Sequence, residues 1–478
     1  MSRTPPNRIR ELRLLAGLSQ RDLAERVNEL AQQRGLRTTA ASADTVSRWE
    51  RGAVTPQPTY RRMLAEALAV SVEDLQLDAQ PARRAAADPS GEHMNVTLDP
   101  RVEHSQDEWR YTRRALNAHR YQLAQVAACL YPEAYRLGST GLITHPDWLP
   151  DTPIDLSAID LEHQPHAPHP ASELDGQESE ASHTRPMQTL TRRYARYTHA
   201  IRDLAKPRLF ENRLCWRLTE LSWAGDKGFM AFGDTTYFAA CDMFETTAHE
   251  LAYVTLGEDG TLRDRSPNLR DLPFRRLIGD PFNLGRRPLM PAISTLTIRN
   301  SPDGAEFLLH RRDPRSVVAA GGMLQVIPSG IFQPSSVLPA AQESDFDLWR
   351  NFMREFSEEL FGDPEHDGAG QPLRYDQEPF TTLDQGRQDG RIRIYCLGVA
   401  LDALTLVGEV LTVAVVESAL FDQLSRDFVD DNDEGHVVAE RVPFTADAIS
   451  ELLTGERLAP AGAGCVELAW RHRERLLS

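Results

Sequence analysis

Apolar positions recur at helical spacing over the first seventy or so residues. Ile9, Leu12 and Leu15 mark one amphipathic helix, Leu23, Val27 and Leu30 a second, and Met63, Leu64, Ala67 and Leu68 a later one. Ser19 and Ser71 stand where N-caps belong, so residues 7–77 read as all-helical. Residues 79–105, rich in alanine, proline and charge, predict a linker. Helical spacing resumes from about Gln106 to Leu130. Residues 151–187 combine proline, histidine, serine and acid, with few large apolar residues after Leu161, and predict a flexible excursion. A further helix is expected from near Met187, and the aromatic-rich stretch 209–253 reads as core. From Pro291 the period changes: STLTIRN, AEFLLHRRD and RIRIYCLGVAL are short β-branched or apolar runs bounded by turn residues. The pattern predicts a multidomain chain: an all-α segment 1–78, the linker 79–105, an α-rich middle region 106–290 containing the flexible loop 151–187, and an α/β or α+β segment 291–478.

Length agrees, since 478 residues exceed one ordinary core and suggest roughly two to four domains. No apolar run approaches the roughly 20 residues that span a bilayer, and the opening MSRTPPNRIRELRLLAG lacks an apolar h-region, so neither membrane nor secretory leader is expected. Cys129, Cys215, Cys241, Cys396 and Cys465 are scattered singly, which fits a reducing cytoplasm. The net charge of −17 excludes a protein that coats nucleic acid with its whole surface. The charge is uneven, however. Residues 1–85 carry 14 arginines against 10 acidic residues, a surplus of +4, and leave −21 for the rest. Contact with phosphates is therefore expected to be local and N-terminal.

Residues 9–52 read IRELRLLAGLSQRDLAERVNELAQQRGLRTTAASADTVSRWERG. The pattern is two short helices with a polar, Ser/Thr/Ala-rich approach to the second, on which Val46 and Trp49 face inward and small or polar groups face outward. A helix presented this way fits the DNA major groove, about 12 Å wide, with its N-terminal side chains at base edges. The stretch resembles the lambda-repressor-like, XRE-type helix-turn-helix family through Leu18-Ser19-Gln20, Asp22-Leu23-Ala24 and Ser47-Arg48-Trp49-Glu50-Arg51-Gly52. Pro56, Leu64, Ala67, Leu68 and Ser71-Val72-Glu73-Asp74-Leu75 continue the pattern. The resemblance implies that Gln20 touches phosphate or an adjacent base, that Ala43, Asp44, Thr45 and Arg48 face bases, and that Ser47 and Arg51 lie near the backbone. Arg48 suits a bidentate guanine contact. The connection NELAQQRGLRTTAASAD is about eight residues longer than the family's turn. It predicts a second helix prolonged through Leu30 or Gln33, broken at Gly35, with Arg34 and Arg37 on a loop.

The second motif is Met353 to Gly362, MREFSEELFG. Phe352, Phe356 and Leu360 form one stripe of a helix, and Glu355, Glu358 and Glu359 share a neighbouring face. Such clustered carboxylates suit a hard cation such as magnesium, or neutralisation by Arg354. The segment resembles the Nudix family: Ser294–Asn300 as first strand, Glu306–Asp313 as the strand after it, Gln325-Val326-Ile327-Pro328-Ser329-Gly330-Ile331 at the Pro-Gly-Gly turn, and Arg354, Glu355, Glu358 and Glu359 in the REUxEE segment. The resemblance implies glutamates that hold magnesium and position water, with Arg354 orienting the helix. The pattern departs in four ways, the first being that Ser329 stands in Pro328-Ser329-Gly330 where the family has its first glycine. Twenty-three residues separate Gly330 from Arg354 where the family has 13; Phe346, flanked by Asp345 and Asp347, stands where a glutamate is expected; and Gly362 comes one place late.

Together these features predict a sequence-specific DNA-binding transcriptional regulator. A C-terminal Nudix-like domain would sense a phosphorylated or nucleotide-like molecule or bind a partner. Double-stranded DNA is the expected macromolecular ligand, and a homodimer is expected because two recognition helices must meet grooves about 34–36 Å apart. Two alternatives stay open: a magnesium-dependent hydrolase of nucleoside diphosphate derivatives using Arg354, Glu355, Glu358 and Glu359, and an interaction adaptor. His163, His166, His169 and His183 read as solvated linker residues rather than metal ligands.

Overall fold

A computed structural model describes residues 8–16, 18–33, 41–50, 56, 58–68, 70, 75 and 99–478, the latter without 166, 171, 208–209, 258, 264, 313–322, 364–371, 430–434 and 456–457. The chain divides into two units, Met1–Val96 and Thr97–Ser478.

The N-terminal unit consists, among the described residues, of helices α1 (Ile9–Leu15), α2 (Gln20–Gln33), α3 (Ala43–Glu50) and α4 (Pro58–Ala67). Ser19 and Asp22 close a reciprocal capping box at the start of α2, each side-chain oxygen accepting the other residue's amide at 3.1 and 2.7 Å. Ser42 and Thr45 do the same for α3, at 3.1 and 3.2 Å. Ile9, Leu23, Val27, Val46, Trp49, Met63 and Leu64 form the core. Helix α2 runs to Gln33, as the spacing predicts. Asn28 holds the far side of the long connection, donating from Nδ2 to the Ala41 carbonyl (2.8 Å) and accepting the Ala41 amide (2.7 Å). Ser71, Arg34, Arg37 and the part of the linker up to residue 98 lie outside the described residues. The linker's last residues are helix: Asp99 caps α5 (Pro100–Ala118), with proline pre-set at the first turn.

The second unit continues with α6 (Arg120–Ala128), β1 (Leu142–Ile143), β2 (Ile154–Asp155), β3 (Ile159–Gln164), β4 (Met187–Thr189), β5 (Arg192–Arg193), α7 (Tyr197–Ala200), β6 (Leu214–Ala224), β7 (Lys227–Thr236), α8 (Tyr237–Thr255) and α9 (Pro273–Ile278). Next come β8 (Pro291–Ser301), β9 (Gly304–Arg312), β10 (Leu324–Val326), β11 (Ser329–Ile331), α10 (Pro339–Asp345), α11 (Leu348–Leu360) and α12 (Phe380–Gln388). The chain ends with β12 (Ile392–Asp402), β13 (Gly408–Glu417), α13 (Ser418–Leu424), β14 (Gly435–Pro443), α14 (Ala446–Gly455), α15 (Pro460–Arg471) and α16 (Arg473–Leu477).

A mixed sheet runs β1-β12-β13-β8-β9-β10, with β11 on β8, β14 on β9 and β2 on β12. Its central pair β13–β8 is parallel, Gly408 opposite Pro291 through Glu417 opposite Asn300; the other pairings are antiparallel. Strand alternation divides β13 between two cores. Val410, Ala414 and Val416 share one with Phe352, Phe356 and Leu360 of α11. Leu411, Val413 and Val415 share the other with Cys465, Val466 and Leu468 of α15. The unit is α+β.

The middle region departs from expectation. Residues 151–187 are not a flexible excursion throughout: β3 pairs in parallel with β7, Ile159 opposite Gly228 through Gln164 opposite Gly233, and β6 completes a three-stranded sheet. Arg217 of β6, 2% exposed, pins the chain beyond β3 by donating to the carbonyls of Ala167 and Pro168, both at 3.2 Å. The stretch expected as helix from Met187 begins instead with the β4–β5 hairpin and turns helical only at Tyr197, where α7 continues into the π-helical segment Ile201–Ala205. His163 is no linker residue; its Nε2 meets Asp234 at 2.8 Å. Trp216 and Phe232 of the aromatic stretch are core, sharing one cluster with the α11 stripe. Residues 106–290 and 291–478 fall within the one Thr97–Ser478 unit.

Helix α8 is buried yet polar. Its Glu245 accepts from Arg113 and from Arg120, the latter at 3.2 Å. Glu250 accepts the first amides of α9, Phe274 (2.7 Å) and Arg275 (2.9 Å). His249 meets the Tyr197 hydroxyl at 2.9 Å, and burial lowers its pKa to about 3. As pH falls from about 6.5 towards 3, the unfolded chain takes up a proton that the folded chain refuses, so stability declines over that window. Urea midpoints of the full chain measured from pH 7 to 4 are expected to fall, and the slope to be shallower in His249→Gln.

Candidate functional site

In the N-terminal unit, α3 buries Val46 and Trp49 against Leu23, while Arg48 is exposed and Thr45 and Ser47 are half-buried. The exposure of Arg48 follows from helical geometry: with Val46 and Trp49 committed to the core, the intervening position turns outward. Ala43 and Asp44 form the first turn of α3; their side chains, and all of Arg51, lie outside the described residues. Thr45 closes the capping box with Ser42.

The Gln20 side chain has a partner within the fold. Its Nε2 donates to Glu50 at 2.8 Å. Glu50, 4% exposed, also takes Arg13 Nε (2.5 Å) and Nη2 (3.2 Å), and Arg13 Nη1 reaches the Leu18 carbonyl at 2.7 Å. This network ties α1, α2 and the end of α3 together and fixes the angle at which α3 is presented. The sequence carried no local signal for it, because Arg13 and Glu50 are 37 residues apart.

In the second unit, the four residues of the acidic motif sit together on α11 over the β10–β11 turn. Asp347 caps the helix, accepting the amides of Trp349 (2.7 Å) and Arg350 (3.1 Å). Gly362, at φ +70°, follows its last turn, so the late glycine serves as the helix stop. Arg354, 3% exposed, donates to the Gln333 carbonyl (2.7 Å), Asn351 Oδ1 (2.8 Å) and Glu355 Oε1 (2.9 Å), and lies 3.9 Å from Glu358. Burial works against its charge, but Glu355 and Glu358 outweigh it and hold the guanidinium pKa above its usual range.

The glutamates are dispersed over different partners. Glu355 packs on Gly330 so closely that a Cβ there would fall 2.0 Å from its carboxylate. Glu359 accepts the Ser329 amide at 3.3 Å. Among the described residues no group of three or more His, Cys, Asp or Glu side chains is arranged to hold a metal ion. Nor do the acids flanking Phe346 supply one. Asp345 accepts the Ser335 amide (2.7 Å) and the Tyr375 hydroxyl (2.9 Å), and Asp347 is the helix cap. Phe346 itself joins an aromatic cluster with Trp216, Phe232 and Phe332. Arg354 faces two of the three carboxylates, Glu355 and Glu358, while Glu359 turns to the Ser329 amide. What the arrangement does chemically is to lock α11 to the turn beneath it.

Residues 10–74 match the family model described as the SP15 N-terminal domain, and that description names no activity. No curated protein matches the chain. No helix among the described residues is long and apolar enough to cross a membrane.

Proposed function

We propose that the chain is a DNA-binding transcriptional regulator. Its N-terminal unit reads duplex DNA, and its Thr97–Ser478 unit senses a small molecule or partner without hydrolysing it. The observation that supports this most is α3: a short, capped helix whose apolar side is buried by Val46 and Trp49 and whose Arg48 is exposed, within a segment carrying a surplus of positive charge on an otherwise acidic chain. Ala43, Asp44, Thr45 and Arg48 would face bases, with Ser47 and Arg51 beside the backbone. Gln20 acts through Glu50 instead, as a positioning residue for α3. The chain would act as a homodimer on two half-sites.

A Nudix-like reading of the sensing unit is supported by its mixed sheet with a central parallel pair and by the acidic helix α11 and the C-terminal helix α15 on opposite faces. Hydrolysis is the reading its donors favour least, because Glu355 and Glu359 are engaged with Arg354 and the Ser329 amide.

Duplex binding by the full chain is expected to weaken steeply with salt, since phosphate contacts release counterions. Arg48→Ala is expected to cost about 1–3 kcal/mol on the preferred sequence, the worth of a bidentate base contact, and much less on unrelated DNA. Fluorescence anisotropy over a salt series checks both. Equal losses on all sequences would remove Arg48 from base reading, and no binding at low salt would favour an adaptor.

A further inference from the structure

A groove of about 990 Å³ lies between α5 and the last turn of α8, away from the α11 motif. One wall is a stripe of α5 containing Glu108, Tyr111 and Arg114; the opposite wall carries Tyr253, Leu256 and Arg263. Its volume is that of small-molecule sites, which run to roughly 300–1,000 Å³. Two tyrosines face one space, and Tyr253 is 44% exposed, an unusual setting for a large ring near the end of a buried helix.

The charges sort into used and unused. Asp107 pairs with Arg110 at 2.8 Å, and Asp271 with Arg265 at 3.2 Å. Arg114 and Arg263 have no carboxylate partner among the described residues. Arg263 spends only Nε, on the Leu256 carbonyl at 2.9 Å, which also offsets the negative end of α8. Its two terminal nitrogens remain, in the forked geometry that grips carboxylate or phosphate. Glu108 lies six positions before Arg114, about 9 Å along the helix, where it can accept an N–H or O–H from the far end of a ligand.

We propose that this groove binds a small aromatic acid, its ring lying against Tyr111 and Tyr253 and its carboxylate or phosphate held by Arg114 and Arg263. The proposal rests on the reading of this unit as a sensor and gives the ligand a place distinct from α11. The test contains no DNA, so its failure and a failure of DNA binding are separate results.

The full chain is titrated with salicylate and with adenosine monophosphate, each beside its uncharged counterpart, salicylamide or adenosine, and the melting temperature is followed. The expected result is a saturable rise with one acid and none with its uncharged counterpart; which acid works distinguishes a carboxylate from a phosphate ligand. Arg114→Gln, a change at an exposed residue, is expected to weaken binding at least tenfold while leaving the ligand-free melt unchanged. Tyr253→Ala is expected to weaken it as well. No shift with either acid, an equal shift with the uncharged compounds, or unchanged affinity in Arg114→Gln would overturn the proposal.

Discussion

Replacing Arg354 by alanine is expected to destabilise the Thr97–Ser478 unit by about 3–5 kcal/mol, the usual consequence of removing one member of a buried ionic cluster. The loss has several sources: the contacts to Gln333, Asn351 and Glu355 vanish, and Glu355, 9% exposed, loses the guanidinium beside its carboxylate. Glu358→Gln is expected to cost clearly less than Arg354→Ala, because Glu358, although its side chain is as buried as that of Glu355, stands 3.9 Å from the guanidinium and glutamine keeps its volume. Urea unfolding followed by tryptophan fluorescence checks this. Six of the seven tryptophans lie in this unit, so the signal reports it. A small effect of Arg354→Ala would show that α11 is held mainly by its aromatic stripe, and would reopen the glutamates as available ligands.

The second large effect is expected at Glu245. It is fully buried and is the common acceptor for Arg113 and Arg120. Burial works against the Arg113 charge, but Glu245 outweighs it and keeps the guanidinium pKa high. Glu245→Ala strands two buried cations and is expected to cost about 3–5 kcal/mol. Combining Glu245→Leu with Arg113→Met is expected to recover part of that loss, since only Arg120 is then left without its carboxylate. If the double variant is less stable than Glu245→Ala, the seam between α5 and α8 depends on its hydrogen bonds and not on avoiding unpaired charge.

These two sites differ in how much of them the sequence revealed. The helix bearing Arg354 was legible because Phe352, Phe356 and Leu360 are four apart, and the strands around Ser294–Asn300 and Glu306–Asp313 were legible from β-branched and apolar runs. Helix α8 announced its hydrophobic residues but not its polar ones. Asp242, Glu245, His249 and Glu250 are buried because they satisfy distant partners: Thr198, Arg113, Tyr197 and the start of α9. No local period encodes that. The β3 strand was missed for a related reason. Its residues IDLEHQ alternate correctly, but its partner β7 lies about seventy positions away, and the surrounding proline and histidine suggested a loop. Two departures from the Nudix pattern gained a physical meaning only in three dimensions: Gly362 stops α11, and Phe346 packs into an aromatic cluster. At the N-terminus the inward and outward faces of α3 were readable from Val46, Trp49 and Arg48. The commitment of Gln20 to Glu50 was not, because an exposed-looking glutamine next to a cap gives no sign of a partner thirty residues on.

The central claim is that the N-terminal unit reads DNA sequence through α3. The most direct measurement is selection of bound duplexes from a randomised pool by the full chain, followed by affinity of the wild type and Arg48→Ala for the enriched sequence. The account predicts an enriched motif, bound about 10–100-fold more weakly by Arg48→Ala. A pool that stays random, or an enriched motif bound equally well by Arg48→Ala, would contradict it.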